Sequence, residues 1–253
     1  MNSLRSISLG LGVCLSTFLA GAQGTFRNMD FGLSQVPNTT PWGTLVPVSQ
    51  AFPFWTAYFG ADQVTTVVYN AVAVGSVSVG LLTPDNTAAG GIPGHNTAVI
   101  QAGDYTTGLV SAALAQTAQI PVGTMSLLFV ATPPYGPGWE VSIGGQTIPV
   151  VEVSQVNSRF NEYGANISAF AGQIDELRFT ALAGLPTVNM YLGEIQFSPI
   201  AIPEPRTPAL LAAGVLGFWV LRCRGSGCGA GPSDRAGTGR KPSTRRTALL
   251  IFL

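Results

Sequence analysis

Hydrophobic and polar residues alternate along short segments of the chain, and clusters of Gly, Pro, Asn and Asp separate these segments. No long stretch of the central region has the hydrophobic spacing of an amphipathic helix. In residues 76–81, the alternation predicts a strand that buries Val77, Val79 and Leu81. Residues 126–130 are apolar on both faces, which is typical of a central strand. The pattern predicts an all-β fold, a two-sheet β-sandwich with jelly-roll-like connections.

The sequence WEVSIGGQTIPVVEV, residues 139–153, predicts a β-hairpin. Gly144 and Gly145 can adopt the positive φ angles that a two-residue hairpin turn requires, and this turn places Ile143 opposite Gln146. In that register one face of the hairpin is apolar and consists of Trp139, Val141, Ile143, Ile148 and Val150. A shift of one residue would mix these side chains with Ser142 and Thr147, so the pattern supports the register.

Two later segments, residues 173–179 and 191–197, alternate in the same way. Their inward-facing side chains are predicted to be Leu177, Phe179, Tyr191, Ile195 and Phe197. The outer face of the first segment carries Glu176 and Arg178 side by side. The alanine-rich residues 110–116 fit either a helical turn or a strand, and the segments around them favour a strand.

The N-terminus has the composition of a secretory signal peptide. Arg5 is followed by an apolar stretch at 7–19 and by the small residues AGA, which a signal peptidase accepts. Cys14 lies inside the apolar stretch, too early for a lipidation site. We therefore predict a signal peptide at 1–22 and export of the chain beyond it. Residues 23–201, called the body below, are long enough to form one domain with a core of ordinary size.

Charge is distributed very unevenly along the chain. The body contains three arginines, ten carboxylates and no lysine, a net charge of −7, whereas residues 203–253 contain eight basic and two acidic residues. An acidic body argues against nucleic acid as a partner, because binding phosphates requires clustered Lys and Arg. The chain's three cysteines all lie outside the body, so neither a disulfide framework nor a thiolate metal site can stabilise it.

The sequence IPEPRTPALLAAGVLGFWVLRCR, residues 202–224, consists of a proline-rich break, an uncharged apolar run and two arginines. Its apolar part, 208–221, would span about 21 Å as a helix, less than the roughly 30 Å of a bilayer core. Length alone fits a buried element or a marginal membrane segment. Residues 208–221 carry no charge, and Arg222 and Arg224 follow directly after them. Both features favour a short membrane helix with the body outside the cell. The Gly-, Ser- and Arg-rich residues 225–253 predict a disordered basic tail on the cytoplasmic side, or alternatively a read-through or frame-shifted end.

This C-terminal arrangement resembles the PEP-CTERM sorting domain of bacterial exported proteins. The resemblance implies that Pro203, Glu204 and Pro205 form the recognition motif of an exosortase-type processing protease. It implies that Arg222 and Arg224 act as the stop-transfer residues, and that the protein is anchored transiently before release to the cell surface or extracellular matrix. The 225–253 extension departs from the family pattern, in which members end soon after the basic cluster.

The body is similar to the domains that accompany such tails, in segments such as FPFWTAYFG, GQTIPVV and LGEIQFSP. Those domains are thought to resemble galactose-binding-like or other lectin-like sandwiches, and no established activity comes with the resemblance. Exopolysaccharide is the partner that it suggests.

Candidate catalytic and metal-binding residues are sparse. His95 is the only histidine and lies in a turn-like sequence without other ligands nearby, so we expect a solvent-facing loop residue. Asp175 and Glu176 are adjacent and point to opposite faces of a strand, so they cannot form a glycosidase pair. The carboxylates and loop carbonyls could bind a structural calcium ion, but the body has no Asp-x-Asp-x-Asp loop.

Aromatic residues offer a route to sugar binding, because an exposed aromatic face can stack on a sugar ring. Trp55 in PFWTAYFG and Tyr135 in PPYGPGW are the candidates if they lie at loop tips, and the alternative is that they fill the core. The sequence therefore predicts an exported surface or matrix protein, not an enzyme, whose body is structural or weakly glycan-binding. The alternative is a secreted carbohydrate-active enzyme.

Overall fold

The computed structural model describes residues 24–106 and 108–202, and strands dominate these ranges. The strands are β1 Leu45–Pro47, β2 Thr56–Phe59, β3 Asp62–Val64, β4 Thr66–Tyr69, β5 Ser78–Leu82, β6 Thr97–Gln101, β7 Gly103–Tyr105, β8 Gly108–Val110, β9 Ala112–Gln119, β10 Ser126–Ala131, β11 Trp139–Ile143, β12 Gln146–Thr147, β13 Val151–Gln155, β14 Asn161–Asn166, β15 Ile174–Ala181 and β16 Asn189–Ser198. One helical turn, α1, covers Val48–Ala51, and a 3-10 turn covers Ser168–Phe170.

The strands form two large sheets and a small ribbon. The eight-stranded sheet has the order β1-β4-β5-β6-β16-β10-β14-β13, and the six-stranded sheet has the order β12-β11-β15-β9-β2-β3. Strands β7 and β8 pair with each other. All of these pairs are antiparallel except β4 with β5, which is parallel. The predicted all-β, sandwich-like fold is confirmed, and the described residues form one compact unit.

The main core lies between the two large sheets. Phe129 of β10 contacts Phe179 of β15 across the interface, with ring centroids 5.2 Å apart in an edge-on arrangement. Both rings are fully buried, as are Leu114 of β9 and Leu127 of β10. Burial of each such side chain contributes about 1.5–3 kcal/mol. Without cysteines in the body, this apolar contact is the main source of stability.

A second, smaller core covers the outer face of the eight-stranded sheet. It consists of Leu82, Ile92, Val99, Val130, Phe160 and Tyr191. Residues 83–96, the loop between β5 and β6, contribute Ile92 to this layer. The layer explains why β10 is apolar on both faces, as predicted. It also buries the second face of β5, including Ser78, in addition to the predicted Val79 and Leu81.

The turn and the first pairs of the predicted hairpin are confirmed, but its second strand is shorter than predicted. Strand β12 ends at Thr147, and β13 pairs with β14 in the eight-stranded sheet. Ile143 pairs with Gln146, and Ile148 donates its backbone N–H to the Val141 carbonyl at 2.9 Å. Gly144 and Gly145 have φ angles of 57° and 78°, the left-handed conformation that this turn needs.

Strands β15 and β9 also agree with the sequence. Leu177 and Phe179 are buried, and on the opposite face Arg178 Nε donates to Glu176 Oε1 at 2.7 Å. The alanine-rich segment that fitted two conformations is strand β9, paired with β15 on one side and β2 on the other.

The predicted orientation of Tyr191 is wrong. Ile195 and Phe197 face the main core as expected, but Tyr191 belongs to the outer layer. The cause is a β-bulge at Glu194, whose φ is 51°. Leu128 of β10 pairs with Gln196 of β16, and Val130 pairs with Gly193. The segment of β16 between these pairs is therefore one residue longer than the segment of β10 that it faces. The extra residue reverses the inside–outside alternation along β16.

The chain folds back onto the outer face of the eight-stranded sheet after β16. Ser126 Oγ donates to the Ile200 carbonyl at 2.7 Å, and the Ile202 side chain fills the space that Gly164 leaves on β14. Neither helical turn in the described part of the chain has the length and apolar character needed to cross a bilayer. The predicted membrane helix at 208–221 lies outside the described residues, as do the signal peptide and the basic tail.

Candidate functional site

A cavity of about 490 Å³ opens beside the strand ends of the eight-stranded sheet. Strands β4 and β5 are parallel, and β6 is antiparallel to them. The C-terminal ends of β4 and β5 therefore lie next to the N-terminal end of β6. The loops at these ends supply most of the polar lining, and the chain before β1 supplies the rest. The polar lining residues are Ser34, Asn38, Asn70, Thr83, Asp85 and Asn96.

Trp42 lies at the rim of this cavity, which is called the Trp42 cavity below. Its indole is 68% exposed, an unusual state for the largest apolar side chain. Gly43 donates its N–H to the Tyr69 carbonyl at 2.7 Å, and Tyr69 donates to the Thr44 carbonyl at 2.9 Å. These bonds extend the β1–β4 ladder past its last pair and hold Trp42 beside the end of β4.

Asn70 organises the inner wall of the cavity. It adopts a left-handed backbone with φ of 52°, which Asn tolerates better than most residues. Its Oδ1 accepts hydrogen bonds from the N–H and the hydroxyl of Thr83, at 2.8 and 3.0 Å. Asn86 Nδ2 donates to the Asn70 carbonyl at 2.9 Å. The wall is therefore rigid before any ligand arrives.

Tyr69 lies on the inner side of the cavity, and only 2% of its surface is exposed. Burial alone raises the pKa of its phenol above the ordinary value. Its hydroxyl makes no hydrogen bond with any other described residue. Burial therefore keeps the Tyr69 phenol protonated and neutral at physiological pH beside the polar lining of the cavity.

Among the described residues that line the cavity, Asp85 is the only carboxylic acid and none is Lys or Arg. The neighbouring His95 is engaged elsewhere, since its Nε2 lies 3.2 Å from Glu194 Oε1. The pair is partly exposed and contributes little to stability. The chemistry of the cavity is thus hydrogen bonding by amides and hydroxyls beside one aromatic face.

A second, smaller cavity of about 270 Å³ lies beside Phe54 and Trp55. Phe54 is half-exposed and has φ of 75°, an outlier for an aromatic residue. The Arg27 guanidinium covers its ring, 3.9 Å from the centroid. One face of the Phe54 ring is therefore already covered.

Trp55 does not fulfil the role that the sequence suggested for it. It is only 4% exposed, its Nε1 donates to the Asn28 carbonyl at 2.9 Å, and its ring packs against Phe31 and Phe179. Such a buried indole cannot stack on a sugar. Tyr135 is 69% exposed in the loop before β11, but it does not line the Trp42 cavity.

The remaining candidate residues are scattered. His95 is a partly exposed loop residue. No group of three or more His, Cys, Asp or Glu residues within 24–106 and 108–202 could hold a metal ion. The sorting motif Pro203, Glu204 and Pro205 and the stop-transfer residues Arg222 and Arg224 lie outside the described residues.

The sequence analysis missed Trp42 and Tyr69. A signal for Trp42 was present, because a tryptophan between Pro41 and Gly43 sits in a turn composition where no alternating pattern would bury it. Tyr69 carried no such signal, because it ends a regular strand. Its position beside the loops from β5 and β6 depends on strand pairing.

In comparisons with known proteins, no family model, no curated sequence and no solved structure matches the chain.

Proposed function

We propose that this chain is an exported cell-surface or extracellular-matrix protein whose body binds glycan without catalysing a reaction. The observation that carries the proposal is the exposed indole of Trp42 beside a polar cavity of about 490 Å³. Ligand pockets typically have volumes of about 300–1,000 Å³ and a few fixed polar groups. An aromatic face beside amides and hydroxyls suits a sugar, which has apolar C–H faces and a polar rim.

Binding fits the cavity better than hydrolysis does. Glycoside hydrolysis usually requires two carboxyl groups roughly 5–10 Å apart across the cleft. Among the described residues that line the Trp42 cavity, Asp85 is the single carboxylate. This composition favours the binding protein over the secreted carbohydrate-active enzyme.

The proposed location of the protein rests on its two ends. The signal peptide at 1–22 would export the body, and the apolar residues 208–221 would hold it at the membrane while an exosortase-type protease acts near Pro203, Glu204 and Pro205. The two prolines keep Glu204 out of helices and sheets, so a protease can reach the backbone there. The arginines after the apolar run agree with this orientation.

A glycan array tests the binding part of the proposal. The purified protein is applied with calcium and again with a chelator, and we expect specific signals that survive calcium removal, because the cavity needs no ion to form its polar groups. Signals that vanish with the chelator would instead indicate a calcium-dependent lectin. A blank array under both conditions would refute glycan binding.

Intact-mass spectrometry of the surface-associated protein tests the sorting part. We expect a chain that begins near residue 23 and ends near Pro203–Glu204–Pro205. A surface form that retains residues 208–221 would show permanent anchoring rather than processing. A full-length protein found inside the cell would refute export.

A further inference from the structure

We propose that the Trp42 cavity binds an uncharged sugar ring, with the ring stacked on Trp42 and a hydroxyl group hydrogen-bonded to Tyr69. This inference rests on the proposed glycan-binding function and adds the site, the ligand class and the role of each residue.

The first support is the pairing of an exposed aromatic face with a deep hydroxyl. Trp42 lies at the mouth and is freely accessible, whereas Tyr69 is almost completely buried yet lines the cavity. The Tyr69 hydroxyl forms no hydrogen bond with another described residue, and the side chain belongs to the cavity lining. A sugar hydroxyl entering the cavity would supply a partner.

The second support is preorganisation of the polar wall. Asn70 is fixed by Thr83 and Asn86. Asn96 is fixed by its Nδ2, which donates to the Phe31 carbonyl at 2.8 Å, and its Oδ1 accepts no hydrogen bond within the described residues. Groups held in place by the fold lose little entropy on binding, which favours the weak, specific binding of small polar ligands.

The third support is charge. In the described part of the chain, the lining includes Asp85 and no cationic side chain, and the body carries a net charge of −7. Uronic acids and sulfated sugars would meet one carboxylate at short range and a negative surface at long range, so they are disfavoured. A neutral ring avoids this repulsion and still satisfies the amides and hydroxyls.

Affinity gel electrophoresis of the full chain tests the inference. The probes are the neutral polysaccharides galactomannan, xyloglucan and dextran, and the acidic polysaccharides alginate and polygalacturonate, each cast separately into the gel. We expect at least one neutral probe to retard the protein and neither acidic probe to do so. Trp42→Ala should lower the affinity for that polysaccharide at least about tenfold. The variant loses the stacking contact and the apolar surface that the sugar ring would bury on the indole.

Two further variants separate the roles of the residues. Tyr69→Phe removes only the hydroxyl and should weaken binding several-fold. Tyr135→Ala removes an equally exposed tyrosine that does not line the cavity, and it should bind like the unmodified protein. Circular dichroism checks that each variant is folded. If Tyr69→Phe does not fold, Trp42→Ala still tests the site, because Trp42 is on the surface.

The outcomes distinguish the two proposals. Retardation by a neutral probe that Trp42→Ala abolishes supports both. Retardation that Trp42→Ala leaves unchanged, or retardation by acidic probes alone, overturns this inference while glycan binding itself stands. No retardation by any probe, together with a blank glycan array, overturns both.

Discussion

At the scale of single residues, the chain uses tryptophan in two opposite ways. Trp55 is buried among Phe31 and Phe179 and donates a hydrogen bond to a buried carbonyl. Trp42 is exposed, and the backbone next to it is fixed by the hydrogen bond from Gly43 N–H to the Tyr69 carbonyl. The first residue stabilises the fold, and the second is available to a ligand.

We therefore expect Trp55→Ala and Trp42→Ala to differ sharply in stability. Trp55→Ala should lower the free energy of unfolding by about 3–5 kcal/mol, because it leaves a large cavity and removes one of the two hydrogen bonds to the Asn28 carbonyl. Trp42→Ala should change it by no more than about 0.5 kcal/mol. Urea denaturation followed by circular dichroism measures both. Equal losses would show that the Trp42 side chain contributes to the core.

At the scale of elements, the loop of residues 83–96 has two functions. It covers the outer face of the eight-stranded sheet through Ile92, and it forms part of the Trp42 cavity through Thr83, Asp85 and Asn96. Asn86 connects the two, since its side chain bonds to Asn70 and accepts from the Ala89 N–H at 3.1 Å. The shape of the cavity therefore depends on a buried amide that no ligand touches.

Replacing Asn86 tests this dependence. Asn86→Ala leaves the buried Asn70 carbonyl and the Ala89 N–H without partners, and should cost about 2 kcal/mol or more. Hydrogen–deuterium exchange should accelerate within 83–96 before it does so in β9, β10 and β15. Thr87→Ala, an exposed position on the same loop, is the matched control and should leave exchange unchanged. A uniform acceleration across both sheets would contradict a local role.

At the scale of the whole molecule, the core depends on apolar burial, and this burial includes two tyrosines. Burial raises the pKa of Tyr69 and is the main cause of the raised pKa of Tyr163. The hydroxyl of Tyr163 is buried without a hydrogen-bond partner within the described residues. Ionising either phenol in the folded protein would create a charge that is shielded from water, which is unfavourable.

Stability should therefore fall in alkaline solution. Tyrosines in the unfolded chain ionise near pH 10, whereas the folded protein keeps Tyr69 and Tyr163 protonated at that pH. Above about pH 10 the folded state therefore binds more protons than the unfolded state. The free energy of unfolding then decreases as pH rises. Below about pH 10 these groups contribute no pH dependence. Urea midpoints at about pH 8 and about pH 11 measure the difference.

A substitution can show whether Tyr163 contributes to the loss of stability in alkaline solution. Tyr163→Phe should have nearly unchanged stability at about pH 8, because the hydroxyl has no partner to lose, and should be less sensitive to alkali than the unmodified protein. Tyr135→Phe, at an exposed position, is the control and should keep the full sensitivity. Identical alkaline losses in Tyr163→Phe and the unmodified protein would contradict the role of this residue.

Local sequence pattern was sufficient to predict several parts of the fold. Alternation placed Leu177 and Phe179 in the core, and two consecutive glycines defined the Gly144–Gly145 hairpin and its register, because turn geometry and side-chain period are properties of neighbouring residues. The body's lack of cysteine and its negative charge likewise follow directly from the amino-acid sequence.

Features that depend on distant segments emerged only in the folded chain. The bulge at Glu194 reversed the orientation of Tyr191, and the burial of Trp55 resulted from packing between the two sheets. The Trp42 cavity joins the turn before β1 with the ends of β4 and β5 and the start of β6. A binding site of this kind has no local pattern, since the pairing of strands brings its residues together and each of them alone resembles an ordinary turn or strand residue.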